Sequence, residues 1–526
     1  MNKHPSYLSR LALALLLLTG CSSNAFAELK LPNSTERRPN LSADPFERAR
    51  EAIKRLPSSS SKAPAPAPAA REPAPVANKR PAARLPDPEP VASEPAPDDT
   101  AAEEAAPEEE VAFSQSFTLT LDGFTKQSGG VLPPEDDPET DEDESKAPPP
   151  PSSTVVGLID YVAEVNTGVA GFWEDGHFVF HASAMFGGNP SDGIGDLHGV
   201  SSIATGFTSL KVIEALYQHT FPLSSTVVTV GIFDVNTDFV VAEYANLFVN
   251  GAFGFDNTLG ATAGPANFPN TGFGIQIKTD LSTNAYVQIA AFDGSPVAPP
   301  LEDMSADPDA EPPPSRPEKF IDLTLQRDEG VFSIIEGGWH DGEAFTPGYM
   351  KVAIGAWYLK QPMNRFGDEF GETRSGTGGM YLLAEASIGE ALGVFFRYGR
   401  ADASFNQYSQ FYAAGMNYKG LVPGREEDVL GLGFVQTRLS TEWLNAMVPT
   451  KEMPDIMPMD GELGRGFAED GTPIFYSAET AIEATYSSQV LDWLMVQPTV
   501  QFVLQPSMEI NNGNALVLGV RLQATY

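Results

Sequence analysis

The 526-residue chain has one cysteine, Cys21, so no disulfide contributes to its stability. Long apolar runs are equally scarce. The longest, Leu11 to Leu18, is far below the roughly 20 residues a helix needs to span a bilayer. Lys and Arg number 33 against 70 Asp and Glu, for a net charge of -37, and a phosphate backbone finds no clustered bases to bind. Nucleic acid is therefore excluded as a partner. Six histidines lack metal-ligand spacing, and no glycine loop with phosphate-binding spacing occurs, so no metal, cofactor or enzymatic function is expected. His181 and Ser183 share one face of an alternating segment but have no evident third partner, which reads as polarity and not as a catalytic group.

What is present divides near residue 112. Residues 1–27 read as an export signal, with Lys3 and Arg10 before the apolar run and small residues after it. Two processing sites compete there. Leu18-Thr19-Gly20-Cys21 resembles a lipoprotein box, which makes Cys21 a lipid anchor, whereas Ala25-Phe26-Ala27 resembles an ordinary cleavage site. Residues 28–112 form a leader rich in Pro and Ala, too poor in aliphatic and aromatic residues to bury a core, and read as a disordered spacer. Its charge is a diblock. Residues 30–84 hold 12 bases against 5 acids, and residues 85–145 hold 19 acids against one Lys. Asp44-Pro45-Phe46-Glu47 carries helix-start chemistry followed by Phe46, Ala49, Ile53 and Leu56 on one face, either a transient linker helix or a contact element for anionic cell-wall or lipid groups.

From residue 113 to 526 the pattern is short alternating segments. In HFVFHASAMFG, Phe178, Phe180 and Phe186 fall opposite His177, His181 and Ser183; in GFGIQIKTD, Phe273, Ile275 and Ile277 fall opposite Gln276 and Lys278. About sixteen such strands follow one another. Most connectors after odd strands are long and those after even strands are short, which predicts an all-β fold, a transmembrane antiparallel β-barrel with both termini at the periplasmic rim. Closure leaves no sheet edge, and every backbone group finds a partner away from water. The last strand, NALVLGVRLQATY, places Leu516, Leu518, Val520, Leu522, Ala524 and Tyr526 toward lipid and Arg521 toward the lumen, and it is expected to pair with the first strand.

Several stretches also look familiar. GDLHGVSSIATGFTSLKVIEALYQHTF, VGIFDVNTDFVVAEYANLFVNGAFG, YMKVAIGAWYLK and GVFFRYGRADASFNQYSQFYAAGMNYKGLVPGREEDVLGLG, in that order, resemble the carbohydrate-selective porin family (OprB type). The resemblance covers roughly residues 115–526. It implies a sixteen-stranded barrel in the bacterial outer membrane through which small sugars diffuse. The leader, the acidic first long loop and the insert PPLEDMSADPDAEPPPSRP depart from the family pattern.

Candidate pore residues follow from cost. A carboxylate facing lipid at the midplane costs about 2 kcal/mol or more, so Glu214, Lys278, Glu385, Arg397, Glu483 and Arg521 are expected to face inward. The long third loop, residues 234–270, carries Asp234, Asp238 and Glu243 and is expected either to fold into the lumen and line its constriction or to remain a solvated external loop. Two rival functions remain open. One is a general cation-preferring porin, since residues 151–526 hold 45 acids against 17 bases; the other is a tether in which the leader contacts the cell wall. The barrel is expected to act as a monomer or a trimer.

Overall fold

A computed structural model describes residues 111–131, 151–206, 208–263, 265–294, 330–363, 365–366, 374–446 and 475–526. The export signal, Cys21, nearly all of the leader, the core of the acidic first loop and the 299–317 insert lie outside the described residues. Among the described residues no helix is long and apolar enough to cross a membrane, a statement that does not bear on strands.

Sixteen strands make up the described body: β1 Phe113–Gly130, β2 Ser153–Asn166, β3 Gly176–Gly187, β4 Ser209–Phe221, β5 Thr226–Phe233, β6 Gly272–Asp280, β7 Ala285–Asp293, β8 Val331–Asp341, β9 Met350–Lys360, β10 Thr377–Ile388, β11 Leu392–Ala401, β12 Tyr408–Lys419, β13 Val429–Leu439, β14 Ala478–Leu491, β15 Leu494–Leu504 and β16 Gly513–Thr525. Each pairs antiparallel with its sequence neighbours, and β1 pairs with β16, so the sheet closes on itself. At the seam Asp122 stands opposite Arg521, and Tyr526 and Phe117 exchange backbone hydrogen bonds of 2.9 and 3.0 Å. The Tyr526 ring stacks on Trp493 at 5.9 Å.

One rim has the tightest turns, residues 222–225, 281–284, 389–391 and 492–493; the other carries the long connections, including residues 188–208 and 234–271. The outer surface is apolar on strand after strand. Ile275, Ile277, Ile289, Ile335, Ile354, Leu432, Leu518 and Leu522 are all exposed, too much contiguous grease for a body surrounded by water and what a lipid-facing belt requires. Tyr418 and Trp493 stand exposed toward the tight-turn rim and Phe502 toward the opposite one.

The inner face is less polar than strand alternation alone suggests. Phe332, Ile334, Phe395, Phe411, Val503 and Val517 point inward and are buried. They are covered by the two long connections, which enter the barrel: Phe248 and Phe253 pack with Phe395 and Phe411, and Val200 and Val249 pack with Val503 and Val517. The barrel thus has a core inside it.

Candidate functional site

The inward loop, residues 234–271, starts on a carboxylate. Asp234 accepts the Thr237 amide at 2.7 Å on Oδ1 and the Phe268 amide at 3.2 Å on Oδ2, so one side chain ties the two ends of the loop together. Burial pushes this carboxyl up to about 6; the Thr237 hydroxyl opposes the shift and the nearby Glu214 charge adds to it. The folded loop therefore binds a proton more tightly than the unfolded chain. Its contribution to stability is fully present below the unfolded value near 3.8 and is lost as pH rises through about 6. Single-channel current noise should accordingly rise between pH 4 and pH 6, and Asp234→Asn should flatten that dependence; an unchanged profile in the variant rejects the assignment.

Further along, the loop has no sheet partner, yet its buried amides need acceptors. Wall carboxylates supply them. Glu336 on β8 accepts the Val240 amide at 3.1 Å as well as the hydroxyls of Tyr286 and Tyr381, both at 2.7 Å. Glu385 on β10 accepts the Tyr244 amide at 3.1 Å and the Tyr349 hydroxyl at 2.7 Å. Glu483 on β14 takes the amides of Val249 and Asn250, both at 2.9 Å, and the Thr499 hydroxyl at 2.9 Å. Carbonyls are held in the complementary way: Asn417 donates to Tyr244 O at 2.7 Å, Gln497 to Leu247 O at 2.6 Å, and Arg397 to Phe253 O.

The second inward loop, residues 188–208, is held by the same chemistry. Glu479 accepts the amides of Leu197 and His198 at 2.8 and 2.9 Å, and Asp122 accepts the Ser201 hydroxyl at 2.7 Å. Burial pushes the His198 imidazole down to about 3, which keeps it neutral, and its Nε2 shares a hydrogen bond of 2.9 Å with the Thr437 hydroxyl. The two loops are joined by a pair of backbone bonds, Ser202 N to Val249 O and Gly251 N to Gly199 O, each 2.8 Å. They form one plate fastened to the wall from β7 round to β16 and β1.

Space for this plate comes from inward glycines. A Cβ on Gly399 would overlap the Asp256 carboxylate, and one on Gly393 would overlap the Tyr244 ring. Gly399→Val should therefore loosen the loop and leave the strand ladder intact. The expected result is faster protease cleavage within residues 234–271 at an unchanged barrel melting temperature.

An open space remains along β5 to β9, toward their tight-turn ends. A cavity of about 740 Å³ reaches from Thr237, Asp238 and Glu243 of the loop to Lys278, Tyr286, Gln288 and Lys351 of the wall. Asp238 and Glu243 stand on the loop side, Asp280 and Glu343 at the tight-turn rim, and the two lysines on the wall. Lys351 lies 3.6 Å from Glu243, and Lys278 lies 5.4 Å from the centre of the Tyr286 ring. On the other side of Thr237, whose hydroxyl donates to Glu214 at 3.2 Å, His181 lies between Asp160 and Glu214 at 2.9 and 3.6 Å. Ser183 donates to the same Asp160 oxygen at 2.5 Å. Ser183, Gln288 and Tyr286 are buried, while Asp160, His181, Glu214, Thr237, Asp238, Glu243, Lys278 and Lys351 are polar and at least partly accessible, which suits transient contact with a hydrated solute.

A closed sixteen-stranded barrel narrowed by an inward third loop has matching relatives. Residues 157–526 match the family described as "Carbohydrate-selective porin, OprB family". The chain belongs to this family. Among curated proteins it is similar to Porin B of Pseudomonas aeruginosa, 22% identical over 281 residues that make up 49% of this chain and 56% of the relative, so the match spans a little over half of that protein. Among solved structures it is similar to the high-pH structure of Pseudomonas putida OprB, with a TM-score of 0.62, 17% identity, and coverage of 79% of this chain and 94% of that one. That likeness is one of fold.

Within this OprB-family barrel the nine residues singled out by sequence occupy two settings. Asp238, Glu243 and Lys278 line the cavity, and the partly accessible Glu214 lies beside it, against His181 and Thr237. Glu385, Glu483 and Arg397 are buried, where they hold the plate, Arg521 pairs with buried Asp122, and Asp234 staples the loop base. Glu336, Glu479, Asp122 and Lys351 perform the same kinds of work and were missed. Their signal was available for Glu336, an acid at an inward position of the alternating VFSIIEGGWHD, and for Lys351 in MKVAIGAWYLK.

Glu214 had an ambiguous face because Leu210, Val212 and Leu216 share its parity in sequence. A bulge resolves it: His181 pairs with Glu214 and Ala182 with Val212, so Ile213 is the extra residue and the alternation resets. Lys211 before the bulge and Glu214 after it both face the lumen, and Leu210 faces out.

Proposed function

We propose that the protein is a passive outer-membrane porin that lets small carbohydrates diffuse through the space between the loop plate and the β5–β9 wall, with both termini in the periplasm. The cavity of about 740 Å³ carries this reading. It falls within the range of roughly 300–1,000 Å³ typical of small-ligand sites. It also combines what a sugar needs: carboxylates and an amide for hydroxyls, lysines as donors, and the Tyr286 ring for a C–H face. Glu214, Asp238, Glu243 and Lys278 serve as lining groups, while Glu385, Glu483, Arg397, Arg521 and Asp234 act as positioning residues that set the aperture.

Liposome swelling with mono- and oligosaccharides, together with sugar block of single-channel current, tests this function. Swelling rates that fall with sugar size, and a current interrupted by sugar, are the expected results. Current without any sugar effect supports the second reading, a general cation-preferring pore, which the excess of 45 acids over 17 bases in residues 151–526 favours. The tethering role of the leader and lipid anchoring at Cys21 stay as separate proposals, tested by leader deletion and by intact mass.

A further inference from the structure

The cavity is not neutral. Its loop side contributes Asp238 and Glu243, its tight-turn rim contributes Asp280 and Glu343, and its wall contributes two lysines; leaving His340 aside, the formal balance is two negative charges. The lysines are also the more compensated partners. Lys351 is shared between Glu243 at 3.6 Å and buried Glu385 at 3.9 Å, and Lys278 sits over the Tyr286 ring. By contrast, the carboxylates of Asp238, Asp280 and Glu343 have no ion-pair partner among the described residues. Asp238 is not loose either, because Gln288 donates to its backbone carbonyl at 2.9 Å and holds it at the mouth of the cavity.

We infer that this cavity favours amino sugars, whose ammonium group meets the uncompensated carboxylates, over neutral sugars of the same shape, and disfavours sugar acids. The inference rests on the carbohydrate reading above and adds a substrate class to it. A hexosamine keeps the hydroxyls and the C–H face that the cavity addresses and gains a charge-assisted hydrogen bond to an acid such as Asp238. A uronate of the same size meets net negative charge. The cavity is open to solvent, so the effect is moderate: one added charge interaction in such a screened setting corresponds to about fivefold in residence time.

The test is single-channel recording of the full chain in KCl at neutral pH with glucosamine, N-acetylglucosamine, glucose and glucuronate. Glucosamine events should outlast glucose events about fivefold. N-acetylglucosamine, which lacks the charge, should behave as glucose, and glucuronate events should be shortest. Two substitutions should move the glucosamine-to-glucose ratio in opposite directions, Asp238→Asn lowering it and Lys278→Met raising it, a pattern that a merely structural disturbance does not produce. A ratio of one in the native channel, or equal lengthening by N-acetylglucosamine, overturns the inference and leaves the sugar porin intact. No interruption by any sugar overturns the carbohydrate reading, and this inference with it.

Discussion

Replacing Glu483 with alanine is expected to give a channel that still folds and inserts but conducts a larger, noisier current. The side chain is fully buried and receives the Val249 and Asn250 amides and the Thr499 hydroxyl. Its loss orphans three donors, each costing about 1–3 kcal/mol when left unpaired away from water. None of these donors belongs to the strand ladder, whose pairing of β14 with β13 and β15 runs through the backbone. The strain therefore falls on the plate, at the point where its two loops are joined through Ser202 and Val249. Release there widens the aperture from the far wall. Glu483→Gln keeps one acceptor oxygen and should have a smaller effect. Conductance traces indistinguishable from native in the alanine variant would show that the plate is held without this carboxylate.

The order of these effects shows which parts of the molecule are legible in sequence. Strand alternation depends on neighbours two residues apart, so the expected number of about sixteen strands and their closure of first on last both match the structure. The cost of a charge in lipid likewise points Glu385, Arg397 and Glu483 inward. It does not say what they meet there. Glu483 contacts amides more than 230 positions away, and no local pattern encodes that partnership. The glycines at 393 and 399 are equally silent, because their meaning is the ring or carboxylate occupying the space that a side chain would take. Phe395 and Val517 were harder still. Apolar residues on a lumen face contradict simple alternation until the loops that cover them are placed. The bulge at Ile213 hid the face of Glu214 in the same way, since one extra residue inverts every assignment beyond it.

The barrel's closing seam carries the second large effect. Asp122 on β1 is fully buried and receives both Nε and a terminal nitrogen of Arg521 on β16 at 2.7 Å. The same pair reaches the plate: Ser201 donates to Asp122 at 2.7 Å, and Arg521 donates to the Ser202 hydroxyl at 3.0 Å. Asp122→Ala removes one partner of a bidentate pair and leaves a guanidinium facing an empty position, a loss of about 3–5 kcal/mol in comparable buried settings. Arg521 is slightly accessible, which places the expected loss toward the lower end. The variant should lose its folded-barrel gel mobility at a clearly lower temperature than native. Asp122→Ala combined with Arg521→Met removes the stranded charge along with its partner, so the double variant should recover part of that loss. Equal losses in the single and double variants would mean that the stranded guanidinium costs nothing and that the loss comes from the contacts both variants lack, including the hold on Ser201.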